Sequence, residues 1–201
     1  MKEKPKPTDL REACIVEAFK IIEEVGVEGL SLRDVARRLG VSHQAPYKHF
    51  PSRDHILAEV LARSFDDFAK FLENRPSSDD PARDLSAMGM LYMEYARNHP
   101  LKYRLMFNTP MPEPKEHPGM MRNAQHAFSL LRARLEHMPL RLVDAPCPSS
   151  ASLDALFVWS TLHGLASILQ SDTLQTLELS EDDKQRAISR CFARLSLALE
   201  P

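Results

Sequence analysis

The stretch SLRDVARRLGVSHQAPYKHFPSRDHIL, residues 31–57, concentrates side chains that hydrogen-bond or carry positive charge. His43 and Gln44 can each donate and accept, Lys48 donates, and Tyr47 carries a hydroxyl able to reach a phosphate. From Ser31 to His55 five cations (Arg33, Arg37, Arg38, Lys48, Arg53) face two acids (Asp34, Asp54), a local charge of +3 in a chain whose formal total is −2. Such a patch suits a polyanion. The near-neutral total excludes a bulk polycation, so affinity for nucleic acid has to come from this patch or from pairing two chains. A pair of amphipathic helices with a solvated charged face fits the same charge pattern.

The spacing predicts the elements that hold these groups. Ser31 followed by Asp34 is a helix start: the serine oxygen accepts a free N–H of the first turn, and the carboxylate sits at the positive end of the dipole. Leu32, Val35, Ala36 and Leu39 fall on one face, and Gly40 provides a left-handed stop. Ser42 is a second capping candidate, His43 to Phe50 are expected to form the next helix, Pro51 ends it, and Ser52 caps a third. Pro46 lies near the start of the second helix, where a missing N–H costs least, so the expectation is a locally adjusted helix. Two short helices joined by a glycine-containing turn are a helix-turn-helix. A helix about 10–12 Å wide fits the roughly 12 Å major groove of B-DNA.

The residues Leu39-Gly40-Val41-Ser42, Tyr47 with His49-Phe50, the basic Arg53 and Leu57 resemble the DNA-binding segment of the tetracycline-repressor (TetR) family of transcriptional regulators. The run Trp159, His163, Gly164 (W-x-x-x-H-G) resembles a C-terminal signature of one subset of that family. Pro46 departs from the larger aliphatic usual before the tyrosine, and Arg53 stands where lysine is more frequent. The resemblance implies an all-α chain: a helix-turn-helix DNA-binding domain over residues 1–57 and a larger helical ligand-binding and dimerisation domain over residues 58–201. It implies that Ser42, Tyr47, His49 and Arg53 hold phosphates while Arg33, His43, Gln44 and Lys48 face bases. It also implies a homodimer through helices 152–170 and 181–199 and a double-stranded operator as partner.

Along the rest of the chain, 3.6-residue periodicity recurs, and six glycines with one tryptophan argue against a β-rich design. Residues 1–7 read as a basic arm whose Lys2, Lys4 or Lys6 could touch a backbone phosphate, and Thr8 reads as the cap of a first helix ending at Gly26. Further helices are expected at 55–72, 82–98, 101–107, 120–138, 152–170 and 181–199, the last capped by Ser180 with Asp183. The apolar sets of the last two include Leu156, Trp159, Leu162 and Leu165, then Ile188, Leu195 and Leu199. Gly164 inside a helix suggests that a neighbouring helix comes close.

Met88, Tyr92, Tyr95, Tyr103, Met106, Phe107, Met121, Phe128, Trp159 and His163 are of types that line an apolar pocket with a few polar handles. Such a pocket would take a small apolar or amphipathic ligand; plain core packing is the alternative for each residue. No phosphate loop, H-E-x-x-H, G-x-S-x-G or paired-carboxylate pattern appears, and no two histidines lie four apart, so neither a cofactor, a metal nor catalysis is expected. An enzyme with His163 as base, and a constitutive DNA-binding dimer without ligand, are the competing readings. Cys14, Cys147 and Cys191 are odd in number, lack C-x-x-C spacing and read as ordinary thiols in a reducing cytoplasm, so a cytoplasmic location is expected. The N-terminus has no apolar run of signal length and no uninterrupted apolar stretch suggests a membrane segment.

Overall fold

A computed structural model describes residues 9–74, 78, 80–136, 138 and 150–199. The basic arm with Thr8, most of the connector at 75–79, the connection at 139–149 and Cys147 lie outside the described residues. Among the described residues all regular structure is helical, in agreement with the all-α expectation. In order these are α1 (Leu10–Val25), α2 (Leu32–Leu39), α3 (Arg53–Glu73), α4 (Pro81–Asn98), α5 (Pro100–Asn108), α6 (Pro118–Leu135), α7 (Ala151–Leu169), a single turn α8 (Asp172–Gln175) and α9 (Glu181–Leu199), with 3₁₀ turns at Val27–Gly29 and Pro46–Lys48.

The chain forms two compact units, Met1–Asp67 with Leu101–Gln125 and Phe68–Pro100 with His126–Pro201. These units part inside α3, after the first residue of α5 and inside α6.

In the first unit, Asp9 accepts the Glu12 N–H at 3.1 Å and starts α1. Its face Cys14, Ile15, Ala18 and Ile22 packs with Leu32 and Val35 of α2, Phe50, and Ile56, Leu57, Val60 and Leu61 of α3, all at most 3% exposed. Burying a side chain of this size stabilises by roughly 1.5–3 kcal/mol. Charges brace the outside: Arg63 of α3 makes a two-pronged pair with Glu12 at 2.6 Å on both oxygens, and Arg11 pairs with Glu59 at 2.8 Å.

In the second unit, α4 packs closely on α7 and α9. Gly89 permits it: a Cβ there would lie 2.7 Å from a Phe192 ring carbon and 3.3 Å from Leu162. Phe68 meets Tyr92 and Tyr95 edge-on at 5.6 and 5.0 Å between ring centres. Asp84, 5% exposed, accepts the Ser78 N–H at 2.9 Å and faces Arg134. α9 opens with a capping box in which Ser180 Oγ accepts the Asp183 N–H at 3.1 Å and the Asp183 carboxylate accepts the Ser180 N–H at 3.3 Å.

One local expectation needs correction. Residues 43–50 are not a regular α-helix: they form a turn at His43–Ala45 and the 3₁₀ turn Pro46–Lys48. Pro46 has no N–H to give the Ser42 carbonyl, so Ala45 bonds it instead at 2.9 Å in the tighter i+3 pattern. Gly164 has no close neighbour among the described residues, since a Cβ there would meet nothing within 4 Å. Leu156, a member of the apolar set of α7, is 50% exposed.

Candidate nucleic-acid interface

The segment that presents the candidate DNA contacts is fixed at both ends by its own backbone. Ser31 Oγ accepts the Asp34 N–H at 3.1 Å and starts α2. Gly40, at φ 69° and ψ 28°, ends it in a Schellman motif: Val41 N–H bonds Ala36 O at 3.0 Å and Gly40 N–H bonds Arg37 O at 3.2 Å. The chain then turns through Ser42–Ala45 into the 3₁₀ turn, and Phe50 N–H closes onto Pro46 O at 2.9 Å. Pro46 and Phe50 point into the core, while Ser42, His43, Gln44, Tyr47, Lys48 and His49 are exposed. Tyr47 is 44% exposed, a large ring left in solvent beside a fully buried phenylalanine.

The basic residues of this segment fall into two groups. Arg37 and Arg38 are tied to Asp34, and Arg38 also reaches Glu24 at 2.8 Å, joining α2 to α1. Those hydrogen bonds hold the Asp34 carboxyl below its ordinary value, with the Arg37 contact the largest cause. The pairing was signalled by the i+3 and i+4 spacing of Arg37 and Arg38 from Asp34. Arg53 donates from Nη2 to Val27 O at 2.7 Å and from Nε to Leu30 O at 3.2 Å, a use that no local spacing announces. Arg33, His43, Gln44, Tyr47, Lys48 and His49 have no side-chain hydrogen bond or ion pair among the described residues. Behind the interface, Ser52 Oγ and His55 Nδ1 lie 2.9 Å apart in the first turn of α3.

The ten residues expected to line a ligand pocket divide between the two units. Tyr103, Met106, Phe107 and Met121 belong to the first, where the Tyr103 and Phe107 rings meet edge-on at 5.0 Å between centres. In the second, Tyr92 Oη lies 3.2 Å from His163 Nδ1, Ser167 Oγ lies 3.4 Å from His163 Nε2, and Trp159 bridges Phe128 and His163 at 6.1 Å to each ring centre. Burial lowers the pKa of His163 from the ordinary histidine value. Met88 and Tyr95 are buried in that same unit. None of the ten lines the cavity of about 280 Å³ in the second unit, whose wall includes Leu85, Gly89, Val158, Leu162, Phe192 and Leu199. Among the described residues no group of three or more His, Cys, Asp or Glu side chains is placed to hold a metal. Burial raises the thiols of Cys14 and Cys191, both free.

A capped helix, a glycine turn and a short turn of exposed donors, braced by α1 and α3, define a helix-turn-helix protein with a second helical unit. The chain belongs to the TetR family: the family profile described as "Tetracyclin repressor-like, C-terminal domain" matches residues 85–195, and "Bacterial regulatory proteins, tetR family" matches residues 15–60. It is 29% identical over 152 residues to an HTH-type transcriptional regulator of Mycobacterium bovis, covering 71% of this chain and 65% of that protein. The chain therefore spans a little under two thirds of the length of that curated relative. It is 36% identical over 80 residues to the tetracycline repressor protein class C of Escherichia coli, covering 34% of this chain and 36% of the repressor. A solved protein of unknown function from Rhodococcus sp. RHA1 superposes with a TM-score of 0.73 at 25% identity, covering 96% of this chain and 98% of that one.

Proposed function

We propose that the chain is a DNA-binding transcriptional regulator of the cytoplasm, acting as a ligand-responsive repressor that binds a near-palindromic operator as a homodimer. The observation that carries this reading is the set Arg33, His43, Gln44, Tyr47, Lys48 and His49 around the turn that follows α2, whose side chains make no hydrogen bond or ion pair among the described residues. Ser42, Tyr47 and His49 take phosphates, while Arg33, His43, Gln44 and Lys48 face base edges. Arg33, whose fork has no partner among the described residues, is the best suited to pair bidentately with a guanine. The irregular 42–50 segment supports a contact made by a few side chains at a turn rather than by a long helix laid in the groove. DNA selected from a random pool by the purified protein should converge on an inverted repeat. Tyr47→Phe should weaken binding to all sequences alike, whereas Arg33→Ala should change which sequence is preferred. A pool without enrichment, or Tyr47→Phe binding like the parent, would sink the assignment.

The ligand half of the proposal rests on the cavity between α4, α7 and α9. Its volume of about 280 Å³ and mostly aliphatic wall suit a small apolar molecule, and Asp80, Ser86 and Ser196 supply polar handles. Ligand and operator must weaken each other equally if they couple, and a tenfold effect corresponds to about 1.4 kcal/mol. The reading of His163 as a catalytic base has less support, because both of its ring nitrogens already lie against hydroxyl groups.

The dimer half rests on α7. It is long and apolar enough to cross a membrane by length and composition, at a mean hydropathy of 1.3 with only 22% of the window buried in its own chain. Leu153, Leu156, Phe157 and Ile168 leave half of their surfaces uncovered. A second copy is the occupant favoured by the family's dimeric habit. The contacts then come from these side chains and not from Leu162 or Leu195, which are 4% and 7% exposed inside the chain's own core.

A further inference from the structure

Arg53 stands where a basic side chain is readily assigned to a phosphate, and its hydrogen bonds point elsewhere. Nη2 donates to Val27 O at 2.7 Å and Nε to Leu30 O at 3.2 Å, while Nη1 lies 3.5 Å from the neighbouring Asp54 carboxylate. The two carbonyls belong to the tight turn between α1 and α2, where Val27 O also accepts the Leu30 N–H at 3.1 Å. That turn has little room to shift, since a Cβ on Gly29 would come 2.4 Å from the Val25 side chain, and Leu30 is 2% exposed. Arg53 is the first residue of α3, so its guanidinium joins the residue that precedes Ser31 to the residue that follows the DNA-facing turn. The segment 31–52 is thereby closed into a loop tied at its base. We infer that Arg53 is a positioning residue: it clamps the two ends of the DNA-facing segment and sets the attitude of residues 42–49, instead of neutralising a phosphate.

The clamp explains why arginine stands at this position. A guanidinium offers donors in a fixed plane and can hold two carbonyls three residues apart, whereas a lysine ammonium is a single point on a flexible stem. Charge alone therefore does not reproduce the function. This inference rests on the DNA-binding reading for its consequence but not for its geometry, so its test has one arm in each.

In the first arm, the full chain and its Arg53→Lys and Arg53→Gln variants are titrated with a duplex recovered by selection on the parent protein, across a range of salt, below the melting temperature of each. The expected result is that Arg53→Lys loses about as much specific affinity as Arg53→Gln, on the order of tenfold, with the slope of log K against log salt unchanged for both. Arg53→Lys binding like the parent, with Arg53→Gln losing about 0.9 of slope, would establish a phosphate contact and overturn the clamp. Lower melting temperatures with parental affinity in the folded variants would make the residue merely structural and also overturn it. The second arm needs no variant: in NMR spectra of the parent protein the Arg53 Nε–H should exchange slowly without DNA and keep its shift when DNA is added. Fast exchange in the free protein overturns the clamp even if no duplex is recovered, whereas slow exchange with no duplex recovered leaves the clamp standing and removes the DNA-binding reading.

Discussion

Glu12 sits in the first turn of α1 with both carboxylate oxygens engaged by Arg63, and that contact is the largest cause of its lowered pKa. A carboxyl whose pKa is depressed by folding adds stability above its unfolded value and loses it as pH falls through the folded one. Both partners are part exposed, so the pair is screened and modest at neutral pH and salt. The melting temperature of the parent protein should therefore drop more steeply than that of Glu12→Gln as pH is lowered from about 5 toward 3. Parallel pH profiles would mean the ion pair holds nothing. The same residue-level sorting separates Arg33 from Arg38: one guanidinium is uncommitted among the described residues, and the other is occupied by Asp34 and Glu24. Equal charge in the sequence thus becomes unequal availability.

At the scale of elements, α2 and the turn after it depend on Gly40, whose positive φ lets two backbone N–H groups satisfy the last carbonyls of the helix. Open space surrounds its Cα, so an added methyl group meets no atom and the penalty is purely conformational. Gly40→Ala should cost about 1–2 kcal/mol through the left-handed backbone alone, read as a lower melting temperature of the isolated protein. Far-UV dichroism should change little, because α2 itself persists. An unchanged melting temperature would show that the turn can relax to another geometry. Pro46 acts in the opposite sense, removing a donor just where an α-helix would otherwise propagate.

At the scale of the whole molecule, the uncovered face of α7 carries the proposed dimer. Gly164 lies seven residues after Phe157, hence on the same helical face, and has no close neighbour among the described residues. The close approach that its glycine permits is then made by the second copy. Phe157→Glu should give a folded monomer with little operator affinity, because one helix-turn-helix binds weakly at physiological salt. Gly164→Ala should weaken self-association about tenfold, roughly 1.4 kcal/mol, without loss of helix. Light scattering at micromolar protein checks both; a parent protein that is already monomeric while binding an inverted repeat would remove the dimer from the account.

The sequence by itself determined what is local. Helix periodicity, the Ser31, Ser180 and Gly40 caps and the exposed donors of residues 42–49 are written in spacings of three and four, because the forces that set them act within one helical turn. The same locality made the family segment readable at 39–57. Tertiary structure decided the rest. Whether Arg53 faces solvent or the carbonyls of Val27 and Leu30 depends on residues 23 and 26 positions away. The cavity wall joins α4, α7 and α9, and no periodicity announces which of several apolar faces leaves a void. Leu156 and Leu162 belong to one apolar set in the sequence, yet one is half exposed and the other buried, because a helix apolar on more than one side does not state which side its own chain will cover.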